Sequence, residues 1–440
     1  MRRFVAVLLL SPSVAYGSVA DVFDVGKAMG TAGAAAATSD DGAAAFYNPG
    51  GLGFADRTEL SVGAEAVRSE LRLAGDRVPL PRPWGVLVLG TAPLPLAGVL
   101  ERKIAVGALL YVGPESHLVV AAPASTAPTL PYYHNRSERL LALPVLALRP
   151  VDAVAVGVSA NYFAGVRGAV EGDQVSATEI RAAVQEEFYS QASYNAGVQV
   201  RLGAWRAGLS YRGQFSVPVA TSVRLSINGK PMTVDLRAAA LFTPETFVLA
   251  AAYDLGRLRL AADLSWRRWS RYRPPFPEID ATIPPLLPQG GDTVSIAATR
   301  ATVRTRDVPR LALGAELALY DSLTGRAGLA YEPTPFRAGG GLANLVDGDK
   351  QVGGLGVSYH GLERDGFRFG VDLALQAQWM TFRRLAKDPA ELQDELPSVP
   401  GRQTTNRGYE AIAGGGLVLA ATLSLVVSWP PADAAAGVSP

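Results

Sequence analysis

The sequence predicts an all-β chain: a transmembrane antiparallel β-barrel of about 14 strands, with an N-terminal plug (hatch) inside the lumen. Three observations predict it. Apolar and polar residues alternate with period two from residue 58 to residue 429, so one face of each strand meets lipid and the other a wet interior. The connections between these runs are short and long in turn, as in barrels with short periplasmic turns and long external loops. Residues 26–54, GKAMGTAGAAAATSDDGAAAFYNPGGLGF, are too poor in large side chains to build a core and must lie against something else.

Residues 1–20 read as an export signal. Arg2-Arg3 form its charged start, Phe4 to Leu10 a short apolar run, and Ser18-Val19-Ala20 a small-x-small cleavage site, with Ala15-Tyr16-Gly17 as a second option. The apolar run is too short to span a bilayer as a helix. Residues 21–57 follow as the plug, 58–429 as the barrel and 430–440 as a tail. Strands are expected near 58–73, 84–94, 102–113, 138–149, 153–163, 189–202, 205–217, 245–254, 257–272, 308–320, 323–332, 350–360, 366–382 and 407–429.

The last strand is the clearest. Leu417, Leu419, Leu423, Leu425 and Trp429 fall on one face, and Thr422, Ser424 and Ser428 on the other. Residues 366–380 put Phe367, Phe369, Val371, Leu373, Leu375 and Trp379 outward and Arg368, Asp372, Gln376 and Gln378 inward. Residues 257–269 put Leu258, Leu260, Leu264 and Trp266 outward against Arg257, Arg259, Asp263 and Arg267. Charges at that density would be intolerable in a dry core but suit a wet or ligand-lined lumen. Trp205, Tyr211, Trp266, Tyr272, Tyr331, Tyr359, Trp379 and Trp429 stand near strand ends, where interfacial aromatics collect. Long loops are expected at 114–137, 164–188, 218–244, 273–306, 333–349 and 383–406. Within the third, Ser222–Ile227 and Met232–Leu236 read as a hairpin about Asn228-Gly229.

Composition excludes several classes. Lys+Arg number 41 and Asp+Glu 40, a net charge of +1, so no electrostatic case exists for nucleic acid. Cysteine is absent, which removes disulfides, thiol nucleophiles and thiolate metal sites. His117, His134 and His360 have no metal-ligand spacing, and His360 is the only one on a strand. Gly353-Gly354-Leu355-Gly356 is followed by no helix and is no dinucleotide fingerprint. No catalytic residue, metal or cofactor is expected, and a monomer is the default.

Several stretches, in order, resemble the FadL/TodX-type outer-membrane transporters. The segment ending Tyr47-Asn48-Pro49-Gly50-Gly51-Leu52 is similar to that family's Gly/Ala-rich hatch with its Asn-Pro-Ala signature, Gly50 standing where the family has Ala. PETFVLAAAYDLGRLRLAADLSWRRWS (244–270) resembles its paired strands ending in Trp-Ser. VPRLALGAELALYDSLTGRAGLAYEPTPF (308–336) and DGDKQVGGLGVSYH (347–360) resemble later strands. Two departures are the residues that follow Trp429, where members usually end on an aromatic read by the barrel assembly machinery, and the charged start at Asp21.

The resemblance implies passive uptake of long-chain fatty acids or other hydrophobic molecules, aromatic hydrocarbons among them, across the outer membrane of a Gram-negative bacterium. It implies a hatch that rearranges and a lateral exit through the wall. Contact with outer-membrane lipid and lipopolysaccharide is implied as well. Tyr47, Asn48, Pro49, Gly50 and Gly51 are then the gating candidates. A carboxylate substrate would need an inward arginine, since arginine pairs with carboxylates bidentately. By parity Arg201, Arg206, Arg212, Arg267, Arg310, Arg326 and Arg368 point inward, unless Asp263, Glu316 and Asp372 already hold them in a lumen network. The candidates for substrate contact are Arg267, Arg310 and Arg368, with Trp269 and the early aromatic Phe23. Residues 118–133 and 274–288 combine apolar side chains with stiffening prolines and suit external capture. Pro93, Pro95 or Pro144 could open the wall by removing ladder hydrogen bonds. A non-transporting structural or adhesive barrel is the alternative. An open porin is disfavoured by the plug.

Overall fold

The computed structural model describes residues 23–78, 84–113, 128–134, 141–174, 180–227, 230–274, 276, 278–283, 293–296, 303–337, 344–386 and 411–430. The expected signal segment, the tail after Pro430, residues 118–127 of the first expected capture loop, and residues 275, 277 and 284–288 of the second lie outside these residues.

Fourteen strands close into one antiparallel barrel. They are β1 (Thr58–Leu73), β2 (Trp84–Pro93), β3 (Ile104–Val112), β4 (Leu141–Val151), β5 (Val154–Gln174), β6 (Ile180–Leu202), β7 (Trp205–Arg212), β8 (Glu245–Leu255), β9 (Leu258–Arg268), β10 (Val308–Tyr320), β11 (Leu323–Glu332), β12 (Lys350–Arg364), β13 (Phe367–Ala386) and β14 (Ala411–Trp429). β1 pairs with β2 on one side and with β14 on the other, from Thr58↔Trp429 to Leu73↔Gly414, so no edge remains. Closure lets every backbone polar group of the spanning region be paired within the sheet, the condition a bilayer imposes.

The two faces differ as the alternation requires. Leu249, Leu264, Leu313, Leu329, Leu355, Leu375 and Leu423 are each at least half exposed and form an apolar outer belt. Such a continuous patch is too large for water to face. The inner faces carry Glu65, Ser159, Asn195, Gln199, Asp263, Asp372 and Gln376, all buried. Aromatic pairs rim the belt. Trp205 and Tyr253 (4.6 Å between ring centroids) and Phe367 and Trp429 (5.8 Å) stand at the short-turn end, and Tyr211 and Phe247 (5.2 Å) at the other. Tyr272, expected in this girdle, lies instead among aromatic rings at the mouth.

The connection 164–188, expected as a loop, is mostly sheet. β5 and β6 pair without interruption from Val154↔Val200 to Gln174↔Ile180. A strand needs only about 9–11 residues to cross a bilayer, so this hairpin projects well beyond it. Above the lipid no apolar face is demanded, which is why the hydropathy alternation fades while the pairing continues. The end of β5 (Gly168–Asp173) pairs in parallel with Thr221–Ser226 of the expected hairpin, whose strands are Phe215–Ile227 and Lys230–Thr243. Glu278–Ile283 and Val294–Ile296 extend this external sheet.

Candidate functional site

Residues 23–54 fill the interior against the inner faces of the strands. A polypeptide can lie this close to a sheet only where the sheet offers no side chains. Gly314 of β10, Gly328 of β11 and Gly354 of β12 are register partners in one inward row. A Cβ at Gly314 would come 2.8 Å from the Thr31 Cβ, one at Gly328 would come 2.6 Å from the Thr31 Cα, and one at Gly354 would come 2.9 Å from the Ala32 nitrogen. The 3-10 turn Gly26–Thr31 sits on this row.

The expected gating residues form the second seat. Asn48 donates through Nδ2 to the carbonyls of Ala36 (2.8 Å) and Val198 (3.0 Å), and its Oδ1 accepts from the Gly50 N–H (3.1 Å). It thereby caps the 3-10 turn Pro49–Phe54, which Pro49 opens. Gly50 lies so close to β5 and β6 that a Cβ there would be 2.7 Å from the Gly197 carbonyl and 2.9 Å from that of Ala155. That contact accounts for Gly rather than Ala at this position. A Cβ at Gly51 would strike the Ser39 carbonyl. The Tyr47 hydroxyl donates to Asp24 Oδ1 (3.2 Å) and accepts from the Val25 N–H (2.8 Å). Burial and then the Asp24 carboxylate hold its pKa well above the ordinary phenol value, so it remains a donor.

Polar and charged groups of the wall grip the same segment. Asp263 Oδ2 accepts from the Ala35 and Ala36 N–H groups at 3.0 and 2.9 Å. Asp24 Oδ2 accepts from Arg310 (3.1 Å) and Gln376 (2.6 Å), and Arg310 also donates to the Ala32 carbonyl (2.8 Å). Lys27 pairs with Asp41 within the segment (2.7 Å), and Asp40 with Arg201 of the wall (3.0 Å).

Between this segment and the external mouth lies a polar cavity of about 40 Å3, lined among others by Phe23, Asp24, Tyr132, Arg212, Arg267 and Arg310. It has room for a few waters. Above it, five aromatic rings from four parts of the chain gather at the mouth. Trp269 stacks on Tyr132 (6.0 Å, 29°) and touches Phe242 (5.7 Å), Tyr272 (5.9 Å) and Phe336 (5.6 Å). The short helix Pro131–His134 that carries Tyr132 is held down by segment 344–346. The Thr129 N–H donates to the Asn344 carbonyl (2.9 Å), and the Val346 N–H to the Thr129 carbonyl (3.0 Å). The buried Lys350 ammonium lies 3.8 Å from the Tyr132 ring centre and pairs with Asp347 at 2.8 Å. Below, Tyr132 meets Glu332 (3.3 Å) and Arg267 (3.4 Å), while Arg267 and Glu332 pair at 2.7 Å.

The structure therefore brings Arg267, Arg310, Trp269 and Phe23 to the region between the mouth and the internal segment. Arg368 is a correction. Although its parity is inward, it sits beside the Asp365-Gly366 turn at the opposite end and binds Glu363 at 2.5 Å. Parity gives the face of a strand but not its depth. The lumen network foreseen as the alternative for the arginines is present, and of the three carboxylates expected in it Glu316 holds an arginine while Asp263 and Asp372 do not. Arg326 pairs with Glu316 (3.4 Å) and Arg206 with Asp254 (3.0 Å), whereas Asp263 binds backbone and Asp372 binds His360 (3.1 Å) and Ser358. Arg212 lies over the Phe46 ring at 3.9 Å. Sequence reasoning singled out none of Tyr132, Glu332 and Lys350, and reached Tyr132 only within the expected capture loop 118–133. Glu332 had a usable signal, the same inward parity as Arg326. Tyr132 had none, because its partners are far away in sequence.

A family described as outer membrane protein transport protein (OMPP1/FadL/TodX) matches residues 153–394. Among solved structures, a Pseudomonas aeruginosa FadL homologue is 15% identical with a TM-score of 0.54, covering 94% of this chain and 98% of that one. The P. putida toluene transporter TodX gives 15% and 0.54, over 92% and 99% of the two chains. The CymD monoaromatic hydrocarbon channel gives 14% and 0.51, over 96% and 99%. At these identities the likeness speaks for the fold alone. Alkane uptake protein A of Marinobacter nauticus is 25% identical over 165 residues, which is 36% of this chain and 34% of that protein, so the match spans about a third of that relative's length. With its family match over more than half its length and its closed fourteen-stranded barrel, the chain belongs to the FadL/TodX family of Gram-negative outer-membrane transport proteins, which are channels rather than enzymes.

Proposed function

We propose that this chain carries hydrophobic molecules passively across the outer membrane, with residues 21–57 acting as the hatch that must rearrange to let them through. The observation that carries the reading is the layered interior. An aromatic mouth lies over a small polar cavity, and that cavity over a segment wedged into the barrel. A water channel has no use for either closure. A hydrophobic molecule gains about 0.8 kcal/mol per methylene buried, enough for aromatic side chains to collect it from a polar surface.

The charge balance favours uncharged substrates over fatty acids. Arg267 and Arg310 beside the cavity are already matched by Glu332 and Asp24. A carboxylate would have to break a buried ion pair to be received, whereas a hydrocarbon would not. Toluene and alkanes, named for the similar proteins, fit that balance. For the exit, Pro144 is the favoured position. The β4–β5 ladder pairs Ala142↔Tyr162 and Val145↔Ser159 but no residues between them, and Pro144 lies in that gap. Pro144 keeps its partner Ala108 on the other side, whereas Pro93 ends its ladder opposite Ala105 and Pro95 lies in the connection beyond it, so of the three only Pro144 sits at a break within a ladder.

The test is uptake of labelled toluene, hexadecane and oleate by a host lacking its own transporter. The host would express the full chain, a deletion of 21–50, or Pro144→Ala. Faster uptake of the two hydrocarbons than of oleate is expected, with selectivity lost on deletion and uptake several-fold slower for Pro144→Ala. No uptake of any of the three by a correctly inserted barrel would sink the reading in favour of a structural or adhesive barrel. Unchanged uptake by Pro144→Ala would remove the exit from that position.

A further inference from the structure

The lipid-facing side of the glycine row is unlike the rest of the belt. Directly beside that row in the register, the outward positions run Ala66, Ala421, Leu375, Leu355, Ala327, Ala315 across six adjacent strands. Four of these six are alanine, and on three of the six strands the inward neighbours are Gly314, Gly328 and Gly354, so little side-chain bulk covers the wall there. The result is an apolar depression of about 970 Å3 on the outer surface. Its one charged lining residue is Arg68, at the margin nearer the long external connections.

Beyond that margin the surface becomes cationic. Arg72 and Arg77 are direct register partners at the top of β1, and both are exposed. Like charges placed directly opposite each other across a strand pair are destabilising. A single carboxylate, Glu70, serves both Arg77 and Arg68, the latter at 3.0 Å. Arg384 on β13 adds a further exposed guanidinium two strands away. Among the described residues, neither Arg72 nor Arg384 makes an ion pair.

We propose that this face binds one phosphorylated, multiply acylated glycolipid of the outer leaflet, the lipid A part of lipopolysaccharide. Its phosphates lie on Arg72, Arg77 and Arg384, and its acyl chains lie in the depression below Arg68. Guanidinium forks match phosphate oxygens bidentately, and a bound dianion removes the repulsion between the facing arginines. The height of the cluster suits a headgroup, since it stands at the external end of an apolar belt. The proposal is independent of what the channel carries.

The test is a titration of the full-length, delipidated protein in detergent, read by native mass spectrometry. The probes are bisphosphorylated lipid A, its dephosphorylated form, and phosphatidylglycerol. The expected result is a one-to-one complex with bisphosphorylated lipid A, and binding at least ten-fold weaker for each of the other two. The double variant Arg72→Ala/Arg77→Ala should lose at least ten-fold for lipid A alone. Gly353→Leu, whose added Cβ would meet only the Leu329 side chain, at 4.0 Å, on the lining of the depression, should weaken binding regardless of phosphate. Both changes are on the outer surface, and a heat-modifiable gel band checks that the barrel is folded. Equal binding of all three lipids, tighter binding of phosphatidylglycerol, or affinity unaltered in both variants would overturn the proposal.

Discussion

Arg267 shows how a single side chain joins the layers of this interior. It pairs with Glu332 at 2.7 Å and touches the hydroxyl of Tyr132, whose ring stacks on Trp269 in the mouth. Glu332 is almost fully buried, so removing its partner strands a charge. Arg267→Ala is expected to cost about 3–5 kcal/mol. Replacing both partners, Arg267→Met with Glu332→Leu, should restore most of that loss. Denaturant unfolding of the purified barrel measures both, and a double variant no more stable than the single one would contradict the assignment. Arg267 was legible in the sequence as an inward arginine close to an external loop. That its carboxylate partner is Glu332 was not, because Glu332 lies on β11, two strands away from Arg267 on β9. Arg368 had equal claim by parity and fails on depth alone.

Among the elements, the spanning strands were the most legible and the connections the least. Lipid on one side and a wet interior on the other impose a period of two, and the expected strand positions follow it to within a few residues for most of the barrel. Outside the bilayer that constraint lapses, so the upper halves of β5 and β6 left no alternating trace. The connection between β11 and β12 became a clasp rather than a free loop. Asp349 accepts from the Thr334 N–H and from the Tyr331 hydroxyl, both at 2.8 Å. Burial pushes its carboxyl up, but these bonds, with Lys350 and Arg306 nearby, outweigh burial and leave it below the ordinary carboxylate range. A depressed folded pKa stabilises above the unfolded value of about 3.9, and the contribution is lost as pH falls through the lower folded value. Protection of the Thr334 amide from hydrogen exchange, corrected for intrinsic rate, should therefore fall on acidification below about pH 4. In Asp349→Asn that dependence should be absent. An identical profile in the variant would show that another group controls the clasp.

For the whole molecule, the glycine row of Gly314, Gly328 and Gly354 determines how the internal segment and the wall meet. Gly328→Leu would drive a side chain into the Thr31 backbone, which cannot move aside within a closed barrel. The barrel should still insert, because the outer face is untouched, but the segment should be displaced. Single-channel conductance in planar bilayers should rise from near closed to a steady open level. A silent channel with a folded barrel would argue that the seat does not hold the closure. By itself the sequence determined the barrel, its strand number and the presence of an internal segment, because alternation and the lack of large side chains are local properties that the bilayer and the chain must both obey. Only the tertiary structure decided which arginines face the cavity and which carboxylates hold them. It alone placed the five aromatic rings in one mouth, and it alone brought three glycines from three strands into one row. Those arrangements depend on register and on pairs far apart in the chain, and neither is written in the period of any one strand.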